Sequence, residues 1–150
     1  MDTTFRPYRS VLYIPGSKER ALDKARGLAC DAIIFDLEDA VTPDAKDSAR
    51  ETLKTALAEG GYGERAKIIR INGLDTDWGA DDVKVLKDAG ADAFLLPKVN
   101  SVKDIEALVN EARRSVTRIE RAISQISDDP QSLIFGGSGS VKQYDGRRRR

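Results

Sequence analysis

Ala32-Ile33-Ile34-Phe35-Asp36-Leu37-Glu38-Asp39 is the stretch on which the fold turns. Ala32 to Phe35 is an apolar run that reads as a strand, and it stops abruptly at Asp36. Before it, Val11 to Ile14 is a second such run, ended by Pro15 and Gly16. Between the two, Ser17 can cap a helix whose apolar stripe is Ala21, Leu22, Ala25, Leu28 and Ala29. After the acids, Thr42 as N-cap and Pro43 at the first helical position open another helix, striped by Ala45, Ala49, Leu53, Ala56 and Leu57 and ended by Gly60 and Gly61. The unit then repeats. Lys67 to Ile71 reads as a strand, followed by Asp81 and Asp82 in the first turn of a helix carrying Val83, Leu86 and Ala89. Ala93 to Leu96 reads as the next strand, and Ser101 with Asp104 makes a capping-box-like start to a helix striped by Val102, Ile105, Leu108, Val109 and Ala112.

Strand-helix units in succession imply a parallel sheet, because each crossover helix returns the chain to start the next strand in the same direction. A doubly wound open sheet and a (β/α) barrel both satisfy this pattern, and the spacing does not choose between them. Polar residues at the carboxyl end of strand after strand, Asp36, Asn72 and Lys98, favour a TIM-type barrel, which gathers its site on one rim. Pro15-Gly16-Ser17 is not the glycine-rich first turn of a dinucleotide-binding sheet. The segment thus covers roughly the N-terminal half of an eight-stranded barrel, over residues 1–140. After Ala112 two readings stand: the helical stripe continues through Val116, Ile119, Ala122, Ile123 and Ile126, or a further strand lies near Val116 to Ile119. Leu133 to Phe135 is a short strand-like run entering a glycine-serine stretch, and residues 141–150 read as a disordered basic tail.

A chain of 150 residues with 40% hydrophobic and 33% charged content has the composition of a globular enzyme-like domain. Lys+Arg and Asp+Glu are both 25. The last ten residues are basic, so the body is slightly acidic, and a basic end on an acidic body is no nucleic-acid stripe. No apolar run approaches the length of a membrane span, and the start has no signal-like core, which predicts a soluble cytoplasmic protein. The lone Cys30 excludes an intramolecular disulfide and reads as a small buried thiol. The absence of histidine removes the commonest general base, leaving carboxylates, arginine, lysine or a metal to carry chemistry.

Asp36, Glu38 and Asp39 place three carboxylates in four positions. A solvated loop would spread them apart, whereas a divalent cation or its bound waters would hold them together. Arg70, inside Ile68-Ile69-Arg70-Ile71, is a charge near the end of a buried strand and is seldom left unpaired there. Its alternatives are a ligand-binding role and a structural ion pair with one of those carboxylates.

Four stretches in order resemble the strand signatures of the HpcH/HpaI aldolase and citrate lyase β-subunit family. They are Arg9-Ser10-Val11-Leu12-Tyr13-Ile14-Pro15-Gly16; Asp36-Leu37-Glu38-Asp39-Ala40-Val41 with Lys46 and Ala49-Arg50; Ile69-Arg70-Ile71-Asn72; and Leu96-Pro97-Lys98-Val99. Within that family the likeness is to the CoA-ester lyases, Mg²⁺-dependent (β/α) barrels that break a carbon-carbon bond of citryl-, malyl- or citramalyl-CoA to give an acyl-CoA and an oxo acid. The resemblance implies that Arg70 binds the oxo acid as the catalytic arginine, that Glu38 and Asp39 hold waters on Mg²⁺, and that Tyr13, Arg20 and Lys24 line the CoA path. Arg20 and Lys24 are four apart on one helix, so both could meet one phosphate, with a solvated helix face as the alternative.

The family's direct metal ligands follow its fifth and sixth strands. Ile119-Glu120 resembles the first of these motifs, with Arg121 in place of a small polar residue. Leu133-Ile134-Phe135-Gly136-Gly137 resembles the second, but Gly139 stands where the acid belongs. The sequence therefore looks like an N-terminal piece with an altered end, whose expected associations are through a homo-oligomer or open barrel edges. Its rival functional reading is a non-catalytic truncated or degenerate member that at most binds CoA or a partner subunit.

Overall fold

The structure, a computed structural model, describes residues 8–114, 122–126 and 132–137. In chain order the elements are β1 (Val11–Pro15), α1 (Glu19–Ala25), β2 (Ala32–Asp36), α2 (Lys46–Glu59), β3 (Ala66–Arg70), α3 (Gly79–Leu86), β4 (Ala93–Pro97), α4 (Val102–Arg114), β5 (Ala122–Ile126) and β6 (Ser132–Gly137). They form a six-stranded sheet of order β1-β2-β3-β4-β6-β5. Strands β1 to β4 are parallel and lie side by side in chain order. Among β1 to β4 no strand breaks the order, which is the barrel arrangement and not that of a sheet wound both ways from a switch point.

Side-chain alternation gives β1 to β4 two unlike faces. Ile33, Phe35 and Ile69 join Leu22, Ala25, Leu53, Leu57, Val83, Leu86 and Leu108 of the helices in one large core. Phe35 meets Tyr62 edge-on at 5.1 Å, an arrangement worth about 1 kcal/mol beyond its buried area. Ala32, Ile34, Ile68, Ala93 and Leu95 form a second, smaller apolar cluster on the other face, the one a barrel turns inward. The register sets Tyr13 beside Ile34 and Asp36 beside Arg70, so Tyr13, Asp36 and Arg70 share that inner face at its carboxyl end. β1 pairs only with β2 among the described residues, and Val11, Leu12 and Tyr13 are exposed along it.

Several local expectations are adjusted. Thr42 and Pro43 open a short 3-10 turn, Pro43–Ala45, with no capping bond from the Thr42 hydroxyl, and α2 begins only at Lys46. Ser17 caps nothing either, since the residue flanking α1 is Lys18. Asp104 does cap: its carboxylate accepts from the amides of Asn100 and Ser101 at 2.9 and 2.8 Å. Gly60 ends α2 with φ 72, where an L side chain would be strained. Cys30 is only partly buried against the core.

After α4 the long-helix reading fails, because Ala122–Ile126 is a strand; the alternative strand at Val116 to Ile119 lies outside the described residues. Ile119, Ile123 and Ile126 fit a helical stripe, and Ala122 to Ile126 shows no clean two-residue alternation, so it is the pairing with β6 that makes this segment a strand. Leu133 to Phe135 is a strand as expected, extended to Ser132–Gly137, yet β6 runs antiparallel to both β4 and β5. Five residues between β5 and β6 can join antiparallel neighbours but are too few for a parallel crossover. The basic tail 141–150 and Glu120 fall outside the described residues.

Candidate functional site at the carboxyl rim of the sheet

Asp36 ends β2 on the inner face, directly across from Arg70 at the end of β3. The guanidinium grips it with two bonds, Nε to Oδ1 at 2.8 Å and Nη2 to Oδ2 at 2.7 Å. The same carboxylate accepts from the amides of Glu38 at 2.8 Å and Ala40 at 3.2 Å, so it also shapes the loop that carries the acids. Burial by itself would raise the Asp36 carboxyl, but the Arg70 bond and the Glu38 amide outweigh it and hold the group below the usual carboxylate range. Arg70 is held protonated, chiefly by its bond to Asp36 against the opposing effect of burial. Its guanidinium lies 5.0 Å from the centre of the Tyr13 ring, a cation-π contact that covers one side.

Glu38 is buried, with its side chain 9% exposed. Oε1 receives Lys98 Nζ at 2.7 Å, while Oε2 lies 3.0 Å from Arg70 Nη1. That second contact is an ion pair without hydrogen-bond alignment, so Oε2 is a buried acceptor with no donor. Asp39 is mostly exposed and stands 3.8 Å from Arg70 Nη2 and 4.0 Å from Lys98 Nζ. The acids are thus drawn together by two side-chain cations, where the sequence suggested a metal or its waters.

Behind the acids a cavity of about 700 Å³ opens between the loops that follow β2, β3 and β4, with Glu38, Asp39, Lys46, Asn72, Trp78 and Lys98 in its wall. Lys46 reaches it from the first residue of α2 and is buried. Its ammonium donates to Leu37 O at 2.7 Å, Glu38 O at 2.6 Å and Asn72 Oδ1 at 2.7 Å, and lies 5.4 Å from the Trp78 ring centre. Burial pulls this lysine below its ordinary range, partly offset by Asp82, Asp36 and Glu38. Asn72 is fixed in turn by Asp82, whose Oδ2 accepts from its backbone and side-chain nitrogens at 2.8 and 2.7 Å. Arg50 Nε closes the chain on Asp82 Oδ1 at 2.7 Å. Gly79 opens α3 against the carbonyls of Asn72 and Gly73, so close that any Cβ would collide with them.

The structure therefore brings Tyr13, Glu38, Asp39 and Arg70 together. Arg20 and Lys24 stand exposed on α1 with no polar partner among the described residues, Arg20 in the first turn and Lys24 about 6 Å further from the rim by helical rise. Of the two alternatives for Arg70, the structure shows the ion pair: Nε and Nη2 bind Asp36, and Nη1 lies 3.0 Å from Glu38 Oε2. Sequence reasoning placed Asn72 and Lys98 at the rim and Lys46 and Arg50 in the family signatures, but gave none of them a chemical role and did not foresee the Arg50–Asp82 pair. A charged residue within an otherwise apolar helical stripe, as Lys46 is beside Ala45 and Ala49, was the available signal.

As a magnesium site the described residues fit an outer role. No three acids among them stand close enough to hold a metal directly. The orphaned Glu38 Oε2 and the exposed Asp39 are acceptors suited to water on such an ion.

Fold and site define a parallel strand-helix sheet of (β/α)-barrel type with an ionic cluster at the strand ends. Residues 9–129 match the HpcH/HpaI aldolase/citrate lyase family, and the chain belongs to it. The (3S)-malyl-CoA thioesterase of Cereibacter sphaeroides (strain KD131 / KCTC 12085) is 62% identical over 102 residues, 68% of this chain and 36% of that protein. Citrate lyase subunit beta of Leuconostoc mesenteroides subsp. cremoris is 37% identical over 113 residues, 73% of this chain and 37% of its own length. The structure of protein CitE from Mycobacterium tuberculosis in complex with magnesium, acetoacetate and coenzyme A superposes with a TM-score of 0.54 at 31% identity, covering 65% of this chain and 35% of that one. The chain thus spans little more than a third of the length of these relatives.

Proposed function

We propose that this chain supplies the arginine-bearing part of an enzyme acting on a 3-hydroxyacyl-CoA ester of the malyl, citryl or citramalyl class. The reaction is cleavage of the bond between the hydroxyl-bearing carbon and its neighbour, giving an acyl-CoA and an oxo acid. The observation that carries the reading is the anchored guanidinium: Asp36 takes two donors of Arg70 and so aims the rest of a rigid planar fork. Arg70 binds the carboxylate and carbonyl of the oxo-acid end and stabilises the charge that gathers there as the bond breaks. One such donor typically accounts for ~10²- to 10³-fold in rate. Tyr13 screens the guanidinium from water, which strengthens it. Mg²⁺, when bound, polarises the same oxygen; Glu38 and Asp39 would hold it through water and Glu120 directly. Arg20 and Lys24 meet the phosphates of CoA. The exposed β1 edge supports association with a second copy or another subunit.

A second reading, hydrolysis of the thioester, is favoured by the 62% identity to a (3S)-malyl-CoA thioesterase. The products of any turnover separate the two when (3S)-malyl-CoA and Mg²⁺ are supplied to the chain or to an assembly that completes the site. Carbon-carbon cleavage yields acetyl-CoA and glyoxylate, whereas hydrolysis yields malate and a free CoA thiol. Binding tests the arginine apart from turnover. Glyoxylate should show saturation-transfer NMR contacts with the chain that vanish in Arg70→Lys, because an ammonium offers no planar two-point contact. Equal binding by Arg70→Lys would refute the role given to Arg70.

A further inference from the structure

Lys98 follows Pro97 at the end of β4 with φ 54, and it alone among the described non-glycine residues has a positive φ. A residue with a Cβ enters that region at a cost in backbone energy that glycine would avoid. Here the strained residue lies on the cavity rim and carries the ammonium to the acids of the β2 loop, with Nζ 2.7 Å from Glu38 Oε1 and 4.0 Å from Asp39 Oδ1.

The two partners of this pair differ in freedom. The Glu38 side chain is 9% exposed and flanked by Arg70, whereas the Lys98 side chain is 71% exposed on a flexible stem. The carboxylate is fixed and its cation is loose. Asp36, Glu38 and Asp39 carry three negative charges against the positive charges of Arg70, Lys98 and the buried Lys46 behind the same loop, so the cluster is balanced; moving Lys98 away leaves one negative charge in excess. The ammonium, 2.7 Å from Glu38 Oε1 and 4.0 Å from Asp39 Oδ1, also sets a positive charge between the two acids and leaves only Oε2, 3.0 Å from Arg70 Nη1, for a water on a hydrated cation.

We propose that Lys98 is a tethered counter-ion of the rim: it occupies the Glu38–Asp39 position that a hydrated divalent cation needs, and it must swing outward before that cation binds. The affinity of the site for the cation is thereby set by a residue that is not itself a ligand. This inference rests on the reading that Glu38 and Asp39 serve Mg²⁺ through water. Linkage makes the competition reciprocal, since the cation weakens the Lys98 pair by the factor by which Lys98 weakens the cation. An ordinary surface ion pair would predict no such effect, only a small change in stability.

The test uses Mn²⁺ as the probe, because its free ion is counted directly by electron paramagnetic resonance. The native chain, Lys98→Met, Lys98→Arg, Glu38→Gln and the Lys98→Met/Glu38→Gln double variant are each titrated to about 10 mM, roughly the weak end of what carboxylate sites hold. Lys98→Met should bind Mn²⁺ about tenfold more tightly than the native chain, towards the low end of usual coupling because the lysine is exposed. Lys98→Arg, which keeps the charge, should stay within about twofold. The double variant should lose the gain, since the lysine acts through Glu38. An unchanged thermal midpoint in Lys98→Met verifies that the fold is intact. Native affinity in Lys98→Met, or a gain equal to it in Lys98→Arg, overturns the inference and leaves the reading of Glu38 and Asp39 standing. No Mn²⁺ binding by any folded form overturns both.

Discussion

Replacing Asp36 with Ala removes one carboxylate that serves four donors: Arg70 Nε and Nη2 and the amides of Glu38 and Ala40. The guanidinium is then left half-buried with only Glu38 and Asp39 beside it, and two loop amides lose their acceptor. Breaking a buried ion pair from one side costs about 3–5 kcal/mol, a large share of the ~5–15 kcal/mol that stabilises a domain. For a chain of this size that corresponds to a loss of roughly 6–20 °C in thermal midpoint. Arg70→Met should cost less, about 2–3 kcal/mol, because Asp36 keeps its two amide donors. The double variant should be less damaged than the two singles added together, by at least ~1.5 kcal/mol, since it leaves neither charge alone. Urea unfolding followed by circular dichroism measures all three. Acid adds a second reading. A carboxyl whose folded value is depressed contributes stability that is fully present above its unfolded value and is lost as pH falls through the folded one. The native chain should therefore lose stability below about pH 4, while Asp36→Asn, with no charge to lose there, should fall less steeply. Additive single-site effects, or identical acid slopes, would refute the view that this pair organises the rim.

Lys46→Met should cost about 2–3 kcal/mol in urea unfolding, because Asn72 Oδ1 loses its donor while Leu37 O and Glu38 O keep Asn72 Nδ2 and Val41 N; a shift below ~1 kcal/mol would show that water replaces the ammonium. Arg20→Ala with Lys24→Ala should leave stability within ~0.5 kcal/mol and weaken CoA binding in calorimetry, and unaltered CoA affinity would return both residues to a solvated helix face. The chain as it stands should show no detectable carbon-carbon cleavage, with Gly139→Asp tightening its weak Mg²⁺ binding, since Mg²⁺ is usually held by one or two protein carboxylates. Robust Mg²⁺-dependent cleavage by the unaltered chain would mean that another carboxylate completes the site.

The parallel strand-helix core over residues 11 to 114 was legible in the sequence because its signals are local. Apolar runs such as Ala32 to Phe35 stop at polar residues, and stripes at helical spacing follow them within one short connection. Arg70 and the three acids were legible for a related reason, as charges at strand ends are costly without partners. Which partners they take was not. The register that sets Asp36 across from Arg70 depends on how β2 and β3 slide against each other, and a shift of one residue would turn the two to opposite faces. Lys46 and Lys98 stand in the family signatures, and Lys98 among the strand-end polar residues, but the sequence does not say what either one touches. Only the packing of α2 under the β2 loop buries the first, and only the left-handed turn after β4 places the second on Glu38. The direction of β6 was likewise a tertiary decision, made because a strand-like run pairs either way until the length of its connection and the free edge of β4 are both in place.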